Sequence, residues 1–265
     1  MSTASLPFFI ERGTGPPLLL IHGLMVTGEM YEPVLDHFAA RHRVIVPDLR
    51  GHGRSRGLPP PFTVPQLAAD LAALLDHLGV ESAAVLGYSQ GGAVAQQLAL
   101  AAPARCSRLV LACTYAFNMA SLRERMEGYA APLLIRAMGM ERFSRFVFSS
   151  GVDGLGDPRK AWLAGLIAAQ DPALMIASWR AAMAYDSRPL LPSIRCPTLV
   201  VAGSRDTAVP IHHARTLHDG IPGARLTLIE GGGHGLIWTH TLSFVRAVDR
   251  FLDEEGATPD PPGSA

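Results

Sequence analysis

A serine lies at the centre of the five-residue pattern G-x-S-x-G, which reads GYSQG at positions 87–91. A strand-like run precedes the pattern and an apolar helical run over 93–102 follows it, so the sequence predicts a sharp strand-to-helix turn with Ser89 at its tip. Such a turn strains the backbone of the nucleophile and brings chain segments close together, which requires small residues at Gly87 and Gly91. The start of the helix would stabilise negative charge beside the hydroxyl. The predicted chemistry is nucleophilic attack by a serine oxygen.

A serine hydroxyl needs a base to remove its proton and an acid to orient that base. His234 is the candidate base, because GGGHG at 231–235 follows the last predicted strand and lets the loop turn the imidazole inward. Asp206, which follows another predicted strand, is the candidate acid. Asp48 is the competing acid, and we interpret it as a turn residue because it precedes the serine and an RGHG turn follows it. The histidines weighed against His234 are His22, His52, His212, His213, His218 and His240.

The segments around these residues alternate between strand-like and helical patterns, which predicts an α/β fold with a doubly wound, mostly parallel sheet. Sites in such sheets form at the carboxyl ends of strands, and Ser89, Asp206 and His234 each follow a predicted strand. The spacing of Thr63 and Gln66 predicts a capping box at the start of one helix. The predicted strands cover 8–11, 18–21, 43–47, 83–88, 108–113, 197–202 and 225–230, and the helices of this part cover 67–78, 93–102 and 242–252.

The strand rhythm stops over 115–192, where helical patterns replace it. We interpret this segment as a helical lid (cap) over the active edge of the sheet, and we assign 1–114 and 193–253 to the core of the domain. Residues 254–265 are polar and rich in proline and glycine, so we expect a disordered tail there. The lid helices are predicted over 132–140, 141–148, 158–170 and 172–185.

Large, adaptable apolar side chains are frequent in this lid. Most of them are expected to pack the lid helices against one another, and the remainder is expected to line a pocket. This composition favours a small-molecule substrate with a hydrophobic acyl or ring portion. The substrate-binding candidates are Met119, Phe143, Phe146 and Trp179.

The composition limits the other partners of the chain. The 265 residues carry 23 basic and 23 acidic side chains, which gives no electrostatic reason to expect nucleic acid or an anionic membrane as a partner. The first residues lack the pattern of a signal peptide, and no apolar run approaches the about 20 residues of a membrane span, so we expect a cytoplasmic protein. The three cysteines, Cys106, Cys113 and Cys196, lack metal-ligand spacing, which predicts buried free thiols and no metal. The oligomeric state is not encoded in any pattern.

Several motifs together resemble the α/β-hydrolase superfamily over nearly the whole chain, and the order Ser89, Asp206, His234 is the order of that superfamily. The chain looks most like small lidded esterases and enol-lactone hydrolases, which work without a cofactor. The resemblance implies an oxyanion hole built from the backbone N–H groups of Leu24 and Gln90. The matching pieces are LLLIHGL at 18–24, VPDLRGHGRS at 46–55, LGYSQGG at 86–92, PTLVVAGSRD at 197–206 and GGGHG at 231–235.

The resemblance also implies a lid inserted after the sixth strand. Relatives begin with a longer N-terminal hairpin, so the first strand of the sheet is expected to be missing or its edge frayed. A serine in place of the aspartate of haloalkane dehalogenases and epoxide hydrolases argues against those two chemistries.

These features predict a serine hydrolase that cleaves a carboxylic ester or lactone through an acyl-enzyme, with Ser89 as nucleophile, His234 as base and Asp206 as the orienting acid. Thioester hydrolysis is an alternative, since it uses the same residues. Lyase, cyclase or perhydrolase activity would arise if the lid excluded or redirected water. A non-catalytic ligand receptor is a further alternative, because receptors of this fold can retain all three side chains.

Overall fold

A single twisted sheet forms the centre of the protein in the computed structural model, which describes residues 6–149 and 157–254. The strands are β1 (Phe9–Arg12), β2 (Pro17–Ile21), β3 (Arg43–Pro47), β4 (Ala83–Tyr88), β5 (Cys106–Ala112), β6 (Thr198–Gly203) and β7 (Arg225–Ile229). Among the described residues the sheet has seven strands in the order β1-β3-β2-β4-β5-β6-β7, with β1 antiparallel to β3 and every other pairing parallel. The predicted fold class is confirmed, and every predicted strand overlaps an observed one.

Helices cover both faces of this sheet. The helices outside the insertion are α1 (Glu32–Ala39), α2 (Val64–His77), α3 (Gln90–Ala101), α7 (Ile211–Gly220), α8 (Leu236–Thr239) and α9 (Thr241–Asp253). Successive side chains of a strand point to opposite faces, so Leu19 and Ile21 pack with α2, α3 and α7, whereas Leu18 and Leu20 pack with α1 and α9. Parallel strands buried on both faces read as continuous apolar runs, which is why the sequence revealed them.

The predicted start of α2 is confirmed for one of its two expected contacts. The Thr63 hydroxyl accepts a hydrogen bond from the Gln66 N–H at 3.3 Å. The Gln66 side chain does not return to the cap but donates to Asp70 at 3.0 Å, where the Arg50 guanidinium also binds at 2.6 Å. The amide therefore joins a buried ion pair instead of completing a capping box.

The insertion between β5 and β6 contains three helices among the described residues, which are α4 (Leu122–Ser149), α5 (Asp157–Ala168) and α6 (Pro172–Ala184). It follows the fifth strand of the described sheet and not the sixth. Five strands precede the insertion, with β1 at the edge of the sheet, and the described residues before β1 form no further strand.

The boundaries of α4 differ from the prediction. The helix begins at Leu122, and Pro132, which we expected at a helix start, lies inside it. A reciprocal capping box starts the helix: the Ser121 N–H donates to Glu124 Oε2 at 2.8 Å, and the Glu124 N–H donates to the Ser121 hydroxyl at 3.2 Å. The predicted break near 140 corresponds to Gly139, whose φ of 74° interrupts the helix.

Part of the sequence lies outside these elements. The tail expected over 254–265 falls, apart from Glu254, outside the described residues. Among the described helices none is by itself long and apolar enough to cross a membrane, although Pro158–Ala168 and Pro172–Ala184 meet the length and composition criteria as a pair bent by 95°. The three cysteines are free thiols, with Cys106 and Cys113 buried and Cys196 partly buried.

Candidate active site

Ser89 occupies the strained turn that the G-x-S-x-G pattern predicts. Its φ of 54° and ψ of −123° lie in a region that side-chain-bearing residues rarely adopt. The turn is held because the Ser89 N–H donates to the Ala112 carbonyl at 2.9 Å and the Ser89 carbonyl accepts the Gly92 N–H at 2.9 Å. A Cβ at Gly87 would overlap the Gly91 carbonyl, and a Cβ at Gly91 would overlap the Ile21 carbonyl. The requirement for glycine at these two positions is confirmed.

The loop after β2 passes directly beside this serine. A Cβ placed on Gly23 would lie 3.2 Å from Ser89 Cβ and 3.8 Å from Ser89 Oγ. This approach brings the following residue, Leu24, to the nucleophile, and Gln90 begins helix α3 on its other side. Within the described residues, the N–H groups of Leu24 and Gln90 donate no hydrogen bond to the protein. Two unused backbone donors therefore lie next to the serine.

His22 fixes the loop that carries Leu24. The Leu49 N–H donates to His22 Nε2 at 2.8 Å, so the proton of the neutral ring is on Nδ1, which donates to the Gly23 carbonyl at 2.7 Å. Burial lowers the pKa of His22 and outweighs the Gly23 hydrogen bond and the Asp48 charge, which raise it. The imidazole is thus a neutral connector between two loops.

Asp206 and His234 meet at the same edge of the sheet. His234 Nδ1 donates to Asp206 Oδ2 at 2.9 Å, and the Asp206 side chain is only 1% exposed. Asp206 Oδ1 accepts the N–H groups of Ala208 at 3.0 Å and Val209 at 2.8 Å. Because one carboxylate oxygen is held by backbone and the other faces the imidazole, Asp206 orients His234 and fixes the tautomer that leaves Nε2 free to accept a proton.

Two opposing effects set the pKa of His234. Burial lowers the pKa, and the charge of Asp206 and its hydrogen bond raise it by more, so the pKa lies above its ordinary value of 6.5. The side chain is 30% exposed, which leaves the ring open on one side. The site therefore favours the protonated imidazole more than water does, which suits a base that must hold a proton during a reaction.

Tyr88 connects the serine turn to the histidine loop. Its hydroxyl donates to the His234 carbonyl at 2.6 Å, and the two rings have centroids 5.8 Å apart in an edge-to-face arrangement. Ser89 is the next residue in the chain, so this contact fixes the two loops relative to each other. The Ser89 hydroxyl itself forms no hydrogen bond with any described residue. The variable position before the serine gave no sequence signal for this role of Tyr88.

Asp48, the competing acid, and His52, one of the competing histidines, are both buried in the loop after β3. Asp48 is buried and accepts the N–H of Gly28 at 3.0 Å and the N–H of Arg54 at 3.0 Å, which is the expected loop-forming role. Burial raises the pKa of Asp48, but these hydrogen bonds lower it to a net value below normal. Burial is the main cause that lowers the pKa of His52 to about 3, with a smaller contribution from the neighbouring His22 ring, so the His52 ring is neutral at pH 7.

The four substrate-binding candidates separate into two groups. Phe143 is buried in an apolar cluster of the insertion, and Trp179 packs against that cluster while its Nε1 donates to the Gly128 carbonyl at 3.0 Å. Leu24 packs on the same cluster, which connects it to the serine loop. Met119 is buried beside Gly128, and Phe146 is 49% exposed on α4. Of the four candidates, Phe143 and Trp179 are therefore the two associated with the cluster on which Leu24 packs.

A second connection between insertion and serine was missed by the sequence. Gln90 is buried, and its side-chain Nε2 donates to the Ser178 carbonyl in α6 at 3.2 Å. A pattern in which the position after the serine is variable gives no indication that its side chain reaches a helix distant in sequence.

A cavity of about 440 Å³ lies between the Asp48 loop and α5, and its lining includes neither Ser89 nor His234.

One group of potential metal ligands overlaps this site. Cys113 Sγ, an Asp206 oxygen and a His234 nitrogen lie within 4.8 Å of one another. Burial raises the pKa of the Cys113 thiol, and the charge of Asp206 raises it further, so the sulfur stays protonated. Within this group, His234 Nδ1 and Asp206 Oδ2 form the 2.9 Å hydrogen bond described above.

Comparison with known proteins identifies the family. Residues 16–241 match the family described as alpha/beta hydrolase fold, so the chain belongs to that family and is an α/β-hydrolase enzyme. It is 30% identical over 260 residues to pimeloyl-[acyl-carrier protein] methyl ester esterase of Aeromonas hydrophila. This match covers 92% of this chain and 98% of that protein. The crystal structure of the enol-lactonase from Burkholderia xenovorans LB400 superposes with a TM-score of 0.85 at 26% identity and covers 93% of this chain and 96% of that one.

A further relative is much longer than this protein. The chain is 36% identical over 252 residues to polyketide synthase ThaQ of Burkholderia thailandensis, and the match covers 92% of this chain. It spans only 12% of the length of that relative. The similarity therefore concerns one segment of ThaQ and carries no statement about the activity of the whole synthase.

Proposed function

We propose that this protein is a serine hydrolase that cleaves a carboxylic ester or lactone with a hydrophobic portion. The observation that carries the proposal is the 2.9 Å hydrogen bond between His234 Nδ1 and the buried Asp206 carboxylate. The Tyr88 hydroxyl joins the loop that carries His234 to the strained turn at Ser89. Nucleophilic acyl transfer requires an oriented imidazole within reach of a serine, and the Tyr88 contact supports that arrangement here.

The proposed reaction begins with attack of Ser89 Oγ on the substrate carbonyl carbon. His234 Nε2 takes the hydroxyl proton, and Asp206 stabilises the imidazolium through Nδ1. His234 then returns the proton to the leaving alcohol, which leaves an acyl-serine. Water activated by the same imidazole attacks the acyl carbonyl and restores the serine. The Ser89 hydroxyl has no hydrogen-bond partner among residues 6–149 and 157–254, and hydrogen bonds between a nucleophile and its base commonly tighten only in the substrate complex.

The N–H groups of Leu24 and Gln90 are proposed to bind the oxyanion of the tetrahedral intermediate. They flank the serine, and within the described residues neither is used in a protein hydrogen bond. Loss of one such donor costs about 3 kcal/mol of transition-state stabilisation in enzymes of this type. The side chains of both residues also contact the insertion, which supports a link between the oxyanion hole and the lid.

The two similar proteins described above support the substrate class. One is named as a methyl ester esterase and the other as an enol-lactonase. The names of these two similar proteins therefore cover both an acyclic ester and a cyclic ester. The apolar cluster around Phe143 and Trp179 supports a hydrophobic acyl or ring portion.

The first experiment measures hydrolysis of p-nitrophenyl butyrate and of an aliphatic lactone by the wild type, Ser89→Ala and Ser107→Ala. Ser107 is an exposed serine on β5 and serves as the matched control. We expect kcat to fall by about six orders of magnitude in Ser89→Ala, because the nucleophile is lost, and to remain unchanged in Ser107→Ala.

A fluorophosphonate probe supplies an independent measurement. The probe is expected to label Ser89 in the wild type, and absence of labelling in folded protein would refute an activated nucleophile. Labelling without turnover of either ester would direct the search to thioesters or to a non-hydrolytic reaction of the same serine.

A further inference from the structure

Three potential metal ligands converge outside the catalytic edge. Glu124 Oε1 lies 3.0 Å from His212 Nε2 and 3.1 Å from His213 Nε2. The three ligand atoms all lie within 4.8 Å of one another. Glu124 belongs to the first turn of α4 in the insertion, whereas the two histidines lie in the first turn of α7 in the core. The cluster therefore joins two parts of the protein that are distant in sequence.

The surroundings hold this geometry in place. Glu124 and His213 are buried, and the second Glu124 oxygen is fixed by the Ser121 N–H at 2.8 Å. The His212 side chain is 46% exposed, so one side of the cluster is open to solvent. Within the described part of the chain, no arginine or lysine pairs with the Glu124 carboxylate. The two imidazoles are the side chains that approach its Oε1 atom.

Hydrogen bonding explains only one of the two imidazole contacts. His213 Nε2 has the distance and direction of a hydrogen bond to Glu124, whereas His212 approaches the same oxygen equally closely without forming one. The rings of His212 and His213 are tilted by 39° with centroids 4.1 Å apart. Tetrahedral Zn²⁺ with bonds of about 2.0–2.1 Å separates its ligand atoms by about 3.3 Å, which is close to the two spacings seen here.

We propose that Glu124, His212 and His213 bind a divalent transition-metal ion, with Zn²⁺ as the best fit. Two imidazoles and one carboxylate are ligands that Zn²⁺ accepts, and the open side beside His212 leaves the fourth position to water. Mg²⁺ prefers oxygen ligands and is excluded by the two nitrogens. The bound ion fastens the start of the insertion to the core, next to the loop that carries Asp206. This site is separate from the Ser89 reaction and does not depend on the proposed function.

Zinc binding to the full chain tests this proposal. Protein stripped with a chelator is titrated with ZnCl₂ in competition with a chromophoric zinc indicator, and parallel samples receive CoCl₂ or MgCl₂. We expect one Zn²⁺ per chain, a Co²⁺ absorption spectrum typical of four-coordinate nitrogen and oxygen ligands, and no response to Mg²⁺. Zn²⁺ should also raise the Tm of the wild type, because an ion that binds only the folded state stabilises it.

Three variants locate the ion. Glu124→Gln and His212→Gln should each weaken Zn²⁺ binding by at least about tenfold and abolish most of the Tm increase. His212 is half-exposed, so its variant is expected to fold even if Glu124→Gln does not. His218→Gln, on the exposed side of the same helix and paired with Asp219, should bind Zn²⁺ as the wild type does.

Two results would overturn the site. The first is the absence of stoichiometric Zn²⁺ binding to the wild type in the micromolar range. The second is binding that survives in folded His212→Gln and Glu124→Gln but disappears in His234→Gln, which would place the ion at Cys113, Asp206 and His234 instead.

Discussion

The sheet core and the helical insertion are built in different ways. Strands β2, β4 and β5 are enclosed on both faces, and their apolar side chains are almost completely buried. Helix α4 of the insertion instead exposes a row of large apolar side chains along its length, which are Leu122, Met126, Tyr129 and Leu133. The core leaves its reactive groups little freedom, whereas the insertion has apolar surface that its own packing does not use.

This difference assigns separate tasks to the two regions. Asp206, His234 and the Ser89 turn belong to the core, where backbone hydrogen bonds fix them before any substrate arrives. Among the described residues, the insertion contacts the surroundings of the serine through the apolar cluster on which Leu24 packs and through the hydrogen bond from Gln90 to Ser178. We therefore expect core substitutions to change the rate of the chemical step and insertion substitutions to change the preference among substrates.

After the loss of the nucleophile itself, the largest effect is expected at the acid. Asp206→Asn should lower kcat for p-nitrophenyl butyrate by about three to four orders of magnitude, because the amide no longer holds the correct tautomer of His234. The surface pair of His37 and Asp249 has a similar distance, 2.8 Å, and provides the matched variant Asp249→Asn. That control should retain the wild-type rate. Equal rates for Asp206→Asn and wild type would remove Asp206 from the mechanism.

Replacing either of two glycines by alanine should change the free energy of unfolding, and the two changes should have opposite signs. Gly91→Ala should lower the free energy of unfolding by roughly 1–3 kcal/mol, because the added Cβ overlaps the Ile21 carbonyl. Gly165→Ala in α5 meets no atom within 4 Å and should raise it by about 0.5–1 kcal/mol through helix propensity. Urea unfolding measures both values. A stabilised Gly91→Ala would show that the serine turn is less tightly packed than its contacts indicate.

The insertion should control chain-length preference. Phe143→Ala is expected to lower kcat/KM for p-nitrophenyl octanoate about tenfold relative to p-nitrophenyl acetate, because a buried apolar contact with the acyl chain is lost. The ratio of the kcat/KM values for the two esters, measured on the same protein sample, does not depend on the fraction of that sample that is folded. Met126→Ala, at an α4 side chain that is 66% exposed, is the control and should leave the ratio unchanged. An unchanged ratio in Phe143→Ala would mean that this cluster does not line the substrate site.

The smallest effect concerns pH. The reaction needs neutral His234, and its pKa is raised above 6.5, so kcat/KM should fall as the pH drops through a midpoint above 6.5. In Asp206→Asn the two causes that raise the pKa are removed and burial remains, so the midpoint of the residual activity should move to lower pH. A midpoint that moves upward in this variant would contradict the proposed coupling of the two side chains.

Local patterns predicted much of this core and less of the insertion. The strands, the glycines around Ser89 and the Thr63 cap follow from backbone conformation and short-range contacts, which sequence patterns report directly. The spacing of Ser121 and Glu124 is an equally local signal for the start of α4, whereas the sequence analysis predicts a helix start at Pro132. Proline inside a helix is tolerated here although it removes one backbone hydrogen bond.

The sequence by itself determined the strand-turn-helix around Ser89 and the order of serine, aspartate and histidine along the chain, because both depend on residues close in sequence or on simple succession. The pairing of His234 with Asp206, seen in the structure at 2.9 Å, was already expected from the sequence. Only the tertiary structure decided that His212 and His213 converge on Glu124. An imidazole acquires its role from partners carried by distant segments, and the distance between those segments is set by the packing of the whole fold.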